Sequence, residues 1–334
     1  MTTIKDIARV AGVGLGTVSR VLNNTGYVSD ETRQKVREAI HQFHYVPNGA
    51  ARSLVTKRTM ALGVVLHDLT NPFASGLARG IEDEARRHGY TMMVLDTDWQ
   101  IENEMQAITT LRQQAVDGCI LVSPANTAVL VGNLQDVGIP VVVVDRGEEV
   151  GISHITVDHY KGAMEAMDWA KQQGHSHIGF LAGPRGLRFA DLRLRAYLDS
   201  IGQKDVALAE VDQQGALPIV RADFLFEQGR IAMATLLGAH PEITCIFAAN
   251  DLSALGALQY LAQQKIAVPE QMAVIGFDDI LMASLVHPTL TTVRQPIYEI
   301  GMTATRLLME NIQHPGRPMQ QHVFDVTLIV RESC

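Results

Sequence analysis

Apolar residues in the first 45 positions recur every three or four places, and three short amphipathic helices follow from that spacing. Ile4, Ile7, Ala8 and Ala11 share one face after a capping-box-like start at Thr3 and Asp6, and Gly12 closes the turn. Val18, Val21 and Leu22 repeat the pattern, while Thr17, Ser19 and Arg20 fall on the other face. Ser29 is placed to cap a third helix, with Asp30 and Glu31 in its first turn and a stripe of Val36, Ala39, Ile40 and Phe43. Two short helices joined by a glycine turn, with a third to close the core, predict a helix-turn-helix module. After Pro47 the pattern changes. Near-continuous apolar runs alternate with amphipathic helices: ALGVVLH (61–67), YTMMVLD (90–96), GCILVS (118–123), IPVVVVD (139–145), HIGFLA (177–182), ITCIFAA from 243 and MAVIGF (272–277). Buried parallel strands read this way, so the body is expected to be α/β, with two doubly wound lobes. No low-complexity tract and no short repeat stands out.

The stretch AGVGLGTVSRVLN (11–23) has glycine at 12, 14 and 16, but it is a poor dinucleotide loop. Thr17 stands where the third glycine belongs, and the preceding IKDIARVA has helical rather than strand periodicity. Charge changes the picture more. The chain has 334 residues and a net charge of −8, yet residues 1–58 carry nine Lys and Arg against four Asp and Glu, a net +5, which leaves −13 for the remainder. A basic head on an acidic body points to nucleic acid as the partner of the head alone. The start lacks a secretory pattern and the apolar runs are too short to span a bilayer, so the cytoplasm is the expected location, with no membrane partner. Cys119 and Cys245 lie in strand-like runs, Cys334 is the last residue, and no C-x-x-C pair appears. The H-x-H of GHSHI (174–178) has no evident third ligand, so no metal site and no cofactor are expected. No P-loop or nucleophile set suggests an enzyme.

The motifs IKDIARVAGVGLGTVSRVLN (4–23), VSDETRQKVREAI (28–40), YVPNGAARSL (45–54), AAND (248–251), VIGFDD (274–279) and TTVRQP (291–296), in this order, resemble the lac repressor family of bacterial transcription regulators. The resemblance implies a headpiece over 1–46, a hinge helix and linker over 47–58, and a periplasmic-binding-protein-like core over 59–334. The first lobe would take about 59–159 plus 292–326 and the second about 160–291, with three crossings between them. It also implies a homodimer on pseudo-palindromic double-stranded operator DNA, controlled by a small-molecule effector. The dimer rather than a tetramer is expected because the sequence stops at VTLIVRESC, without a further helix. In the headpiece, Gly14 would begin the recognition helix. Leu15 and Gly16 would occupy the leading base-reading positions, Arg20 would be the candidate for a bidentate guanine contact, and Thr17, Ser19 and Asn23 would meet phosphates. The family commonly has polar side chains near 14 and 16, and this sequence departs from it. In the hinge, Ala51 would allow close helix pairing and Leu54 would wedge into the minor groove. A helix over 48–55 is too short to be stable alone and would fold on DNA.

In the core, polar residues stand at the strand ends where open α/β sheets bind ligands. Residue-wise match to the family assigns Asp145, Arg193, Asn250 and Asp278 to the cleft, Ser123 nearby, and Phe73 and Phe224 as apolar platforms. Arg195 is the alternative to Arg193 in RLRAY (193–197), and Asp251 is expected to cap the helix that follows it. Carboxylates, an amide and a guanidinium suit hydroxyl groups, so a sugar or sugar derivative is the expected effector; a purine or nucleoside, sandwiched by two phenylalanines, is the alternative. A sugar-binding transport protein is the rival class, and it has no need of a basic head.

Overall fold

The computed structural model describes residues 2–23, 25–45, 58–122, 138–145, 151–209, 211 and 217–334; the side chain of Asn23 lies outside that set, as do Ser123, Ala51, Leu54 and the hinge helix. The chain divides into two compact units, 1–59 and 60–334.

In the first unit, α1 (Ile4–Ala11) starts at a capping box in which the Thr3 hydroxyl accepts from the Asp6 amide and the Asp6 carboxylate accepts from the Thr3 amide, and it ends at Gly12, whose φ of 65° is left-handed. Helix α2 spans Leu15–Asn23 and α3 spans Asp30–Gln42, capped by Ser29 through the Thr32 amide. Ile7, Ala8, Val18, Val21, Val36 and Ala39 form the shared core. Phe43 is not among them: it is the residue that ends α3 and is 38% exposed, so the expected stripe stops at Ile40.

The second unit holds two six-stranded sheets of the same plan. The first lobe contains β1 (Ala61–Leu66), β2 (Thr91–Asp96), β3 (Gly118–Val122), β4 (Val141–Val144) and β5 (His154–Val157), ordered β2-β1-β3-β4-β5. The second contains β6 (Ile178–Ala182), β7 (Ile219–Arg221), β8 (Cys245–Ala248), β9 (Ala273–Asp278) and β10 (Thr291–Arg294), ordered β7-β6-β8-β9-β10. Each is then extended by a strand from the end of the chain: β11 (Gln321–Phe324) lies parallel to β5, and β12 (Thr327–Ile329) antiparallel to β10. The remaining pairings are parallel. Helices connecting the strands are α4 (Pro72–Arg87), α5 (Ile101–Gln113), α6 (His159–Gln172), α7 (Arg188–Ser200), α8 (Phe226–Ala239), α9 (Asp251–Gln263) and α10 (Ile297–Gln313).

The chain passes between the lobes after Val157, after Arg294 and after Phe324, so it crosses between the two sheets three times. The expected boundary at 292 falls inside β10, which pairs through Arg294 with the second sheet. From there α10 returns to the first lobe and crosses α4 at close range: a Cβ on Gly80 would stand 2.2 Å from the Tyr298 carbonyl, and one on Gly301 2.3 Å from that of Leu77. Only glycine permits backbones to approach so closely.

Candidate functional sites

The exposed arc of α2 follows from its buried one. With Val18 at 0% and Val21 at 8% exposure, Leu15, Gly16 and Arg20 are left facing outward, with Ser19 half-buried among them. The Gly14 carbonyl accepts from the Thr17 and Val18 amides, so Gly14 is the cap and α2 begins one residue later, at Leu15. None of the described residues lies within 4 Å of a Cβ built on Gly14 or Gly16, so among them this surface is open to a groove. The Arg20 stem passes Gly26, with Cδ 3.5 Å from a Cβ built there. Thr17 is half-buried at the edge of the arc.

The second site is a narrow cleft at the carboxyl ends of both sheets. Phe73, Asp145, Arg193, Phe224, Asn250 and Asp278, all expected there, line it together. Arg195 faces elsewhere, its guanidinium donating to the carbonyls of Lys204 and Val206. His67, Asn71, Trp99, Phe189 and Gln295 also line the cleft, and sequence reasoning missed them.

The charged groups form one chain across the cleft. Arg193, 2% exposed, donates to the Ala249 carbonyl and lies 3.6 Å from Asp278 Oδ1, its guanidinium 3.7 Å above the Phe277 ring. Arg193 Nη2 stands 3.2 Å from His159 Nδ1, and His159 Nε2 stands 3.2 Å from Asp145 Oδ1. Burial holds the His159 imidazole below its ordinary range, against the pull of Asp145. Arginine can only donate, so a neutral His159 accepts at Nδ1 and passes its Nε2–H to Asp145. The relay joins Asp145, at the end of β4 in the first lobe, to Arg193 and Asp278 of the second. His159 opens α6, directly after a crossing.

Asp278 accepts from Gln295 Nε2 at 2.7 Å. Burial pushes its carboxyl up to about 7, outweighing the nearby Arg193 and the Gln295 bond. Burial likewise pushes His67 down to about 4. Asn250, not Asp251, caps α9: its Oδ1 accepts from the Ser253 amide at 3.0 Å while its Nδ2 donates to the Phe224 carbonyl at 3.1 Å. One N–H and one lone pair remain on that amide. Asp251, one residue inside the helix, instead accepts from Thr292 Oγ1 and from the Ile280 amide, which ties α9 to β10. Arg193 Nε and Gln295 Oε1 are buried with no hydrogen-bond partner among the described residues.

Several lining residues have left-handed backbones: Trp99 at φ 60°, Asp145 at 61°, Phe224 at 61° and Asp278 at 119°. Such conformations are costly for residues other than glycine and cluster where a site needs a particular orientation. Two of them match between lobes. Asp98-Trp99 follows β2 and Asp223-Phe224 follows β7, the equivalent edge strands, each pair left-handed at both positions. The rings meet at 6.1 Å across the cleft, and Phe189 stacks on Phe224 at 5.5 Å. TDWQIE (97–102) and ADFLFE (222–227) are thus a repeat, hidden by its divergence.

Comparison with known proteins decides the relationship. Residues 3–48 match the family model of bacterial regulatory proteins, lacI family, and residues 168–334 that of a periplasmic binding protein-like domain. The Ribose operon repressor of Halalkalibacterium halodurans is 34% identical over 100% of this chain and 97% of its own length. The chain belongs to the lacI family. Among solved structures of the family's fold, the lac repressor dimer bound to operator and the anti-inducer ONPF is similar at a TM-score of 0.87 and 26% identity, covering 99% of this chain and 98% of that one. A LacI family transcriptional regulator from Enterococcus faecium, with bound ribose, is similar at a TM-score of 0.71 and 27% identity, over 82% of this chain and 98% of that one. This lacI-family chain therefore carries a DNA-binding helix-turn-helix and a two-lobed regulatory core. No helix among the described residues is long and apolar enough to cross a membrane.

Proposed function

We propose that the protein is a cytoplasmic, homodimeric transcription repressor that binds a pseudo-palindromic operator and is controlled by a small polyhydroxylated effector, a monosaccharide or a close derivative. The observation that carries the effector class is the cleft itself. Acceptors at Asp145 and Asp278 stand with donors at Arg193 and Asn250 in a lining that also includes Phe73 and Phe224. Hydroxyl groups both donate and accept, so they would satisfy both carboxylates together with the unpartnered Arg193 Nε and Gln295 Oε1. The ribose bound to the Enterococcus faecium relative supports the same class. Ser123 belongs to this site by resemblance.

On the DNA side, Leu15 offers an apolar contact to a thymine methyl, Arg20 a bidentate contact to guanine, and Thr17, Ser19 and Asn23 contacts to phosphate, while Ala51 and Leu54 act at the minor groove. Control requires that the effector bind one arrangement of the lobes more tightly than another. The Asp145–His159–Arg193–Asp278 relay is suited to that, because its members come from both lobes. A purine or nucleoside is the second reading, favoured by the aromatic rings of Trp99, Phe189 and Phe224 around the cleft.

Thermal unfolding against monosaccharides and against nucleosides separates the two. An effector at about a hundred times its dissociation constant adds about 2.7 kcal/mol. Stabilisation by a sugar, lost in Asp278→Ala, supports the proposal; stabilisation by nucleosides alone replaces it with the second reading.

A further inference from the structure

At the opposite end of the second lobe from the cleft, the fold gathers three soft ligands that are far apart in sequence. His175 follows α6, Cys245 opens β8 and Cys334 ends the chain, and one ligand atom from each lies within 4.8 Å of the others. The H-x-H motif that lacked a third ligand thus has one of its histidines beside two thiols. We propose that His175, Cys245 and Cys334 bind one thiophilic d10 cation of the Zn2+ or Cu+ class.

The segments that carry these residues are held in place by their surroundings. Cys245 is fully buried. The His175 amide donates to the Ala170 carbonyl, and its ring Nδ1 stands 3.0 Å from the hydroxyl of Thr244, the residue before Cys245. A hydrogen bond to the other atoms of a ligand ring orients it for a metal. The terminal segment is fixed more firmly. The Val274 amide donates to the Ser333 carbonyl at 2.8 Å, the Ser333 amide donates to the Thr289 carbonyl at 3.0 Å, and the Ser333 hydroxyl donates to the Val274 carbonyl at 2.6 Å. The Cys334 carbonyl accepts from Thr291 Oγ1 and from the Trp169 indole. A Cys2His set is typical of zinc and copper(I) rather than of hard cations. Zinc holds sulfur at about 2.3 Å and nitrogen at about 2.0 Å, so closing onto an ion needs each pair to approach by about 1 Å at most. The half-exposed Cys334 can supply that by rotating its side chain.

Binding of Zn2+ would form two Zn–S bonds and one Zn–N bond, and the two thiol protons would leave to the buffer, with no change of oxidation state.

The test is titration of the reduced full-length protein with Zn2+ by calorimetry in two buffers of different ionisation enthalpy, with Cd2+ as the reporter of thiolate charge-transfer absorption. The proposal expects one saturable equivalent per chain, about two protons released, and at least a tenfold loss of affinity in Cys334→Ser and in His175→Gln. Both variants alter partly exposed side chains, and unchanged circular dichroism and melting without metal will show that they fold. Absence of a saturable equivalent, or a Cd2+ absorption unaltered in both variants, would overturn it. So would loss of two titratable thiols in air with no metal binding after reduction, which would make the pair a disulfide instead.

Discussion

Replacing Arg193 by Met keeps an unbranched stem of similar length and removes the guanidinium from a site where it is 2% exposed. The loss comprises donors to the Ala249 carbonyl and to His159 Nδ1, and the charge 3.6 Å from Asp278. Breaking a buried ion pair from one side costs about 3–5 kcal/mol, because the other charge is left uncompensated. Asp278 has an escape, however. Its carboxyl already titrates at about 7 with Arg193 present, and it rises further without it. At pH 6 the acid is therefore neutral and the cost falls to that of the two lost hydrogen bonds and the orphaned carbonyl, about 1–3 kcal/mol. At pH 8.5 the wild-type carboxylate is ionised, and the full cost applies. The expectation is a destabilisation that grows with pH, and that stays near its low value at both pH values in the Asp278→Asn background. Urea unfolding of the four proteins of this cycle, followed by the fluorescence of Trp99 and Trp169, reads it. Equal destabilisation by Arg193→Met in both backgrounds and at both pH values would refute the buried-pair argument.

Other outcomes follow from the same structure. His67 has its folded pKa depressed from 6.5 to about 4, so the unfolded chain binds the proton first; stability is lost as pH falls from 6.5 toward 4, by about 3 kcal/mol. Asp278 acts with the opposite sign, its contribution being present at low pH and lost as pH rises through 7, so the two slopes offset each other between pH 4 and 7 in the wild type. Melting over that range should therefore show stability falling with rising pH in His67→Phe and rising with pH in Asp278→Asn; two variants with the same slope would contradict both assignments. His159→Phe should leave sugar binding to the second lobe's residues within about tenfold while weakening the response of DNA affinity to ligand; an unaltered response in DNA anisotropy would remove His159 from the coupling. Gly16→Gln should change operator preference at the base pair facing it, since Gly16 now offers no side chain there and none of the described residues lies within 4 Å of its would-be Cβ. Selection from random DNA that returns the same operator for both proteins would count against that assignment.

Legibility in the sequence tracked how completely an element is buried. Runs such as VVVV in β4 and CIFA in β8 are wholly apolar because both faces of the sheet are covered, and they could be read directly. QHVF in β11 and IVR in β7 are short edge strands with exposed or half-buried residues, so they carry no such pattern. Asp145 and Asp278 stood at strand ends and were found there, whereas Arg193, inside α7, was found only through the family resemblance. Trp99, Phe189 and His159 were not found, because they sit in a turn or at helix starts, where no periodicity marks an inward direction. Asn250 took the cap expected of Asp251 since the helix begins one residue earlier in function than the acidic side chain suggests, and the buried Thr292 hydroxyl claims that carboxylate. The cysteine and histidine cluster was invisible for another reason: its members lie on three segments that only the folded second lobe brings together.

The most direct test of the account is the anisotropy of a labelled operator, obtained by selection, titrated with the protein in the presence and absence of a monosaccharide that calorimetry has shown to bind. The account predicts that the sugar changes operator affinity at least severalfold in the wild type and not in Asp278→Ala, whose headpiece is intact. An operator affinity indifferent to a sugar that fills the cleft, or a response that survives Asp278→Ala unchanged, would contradict it.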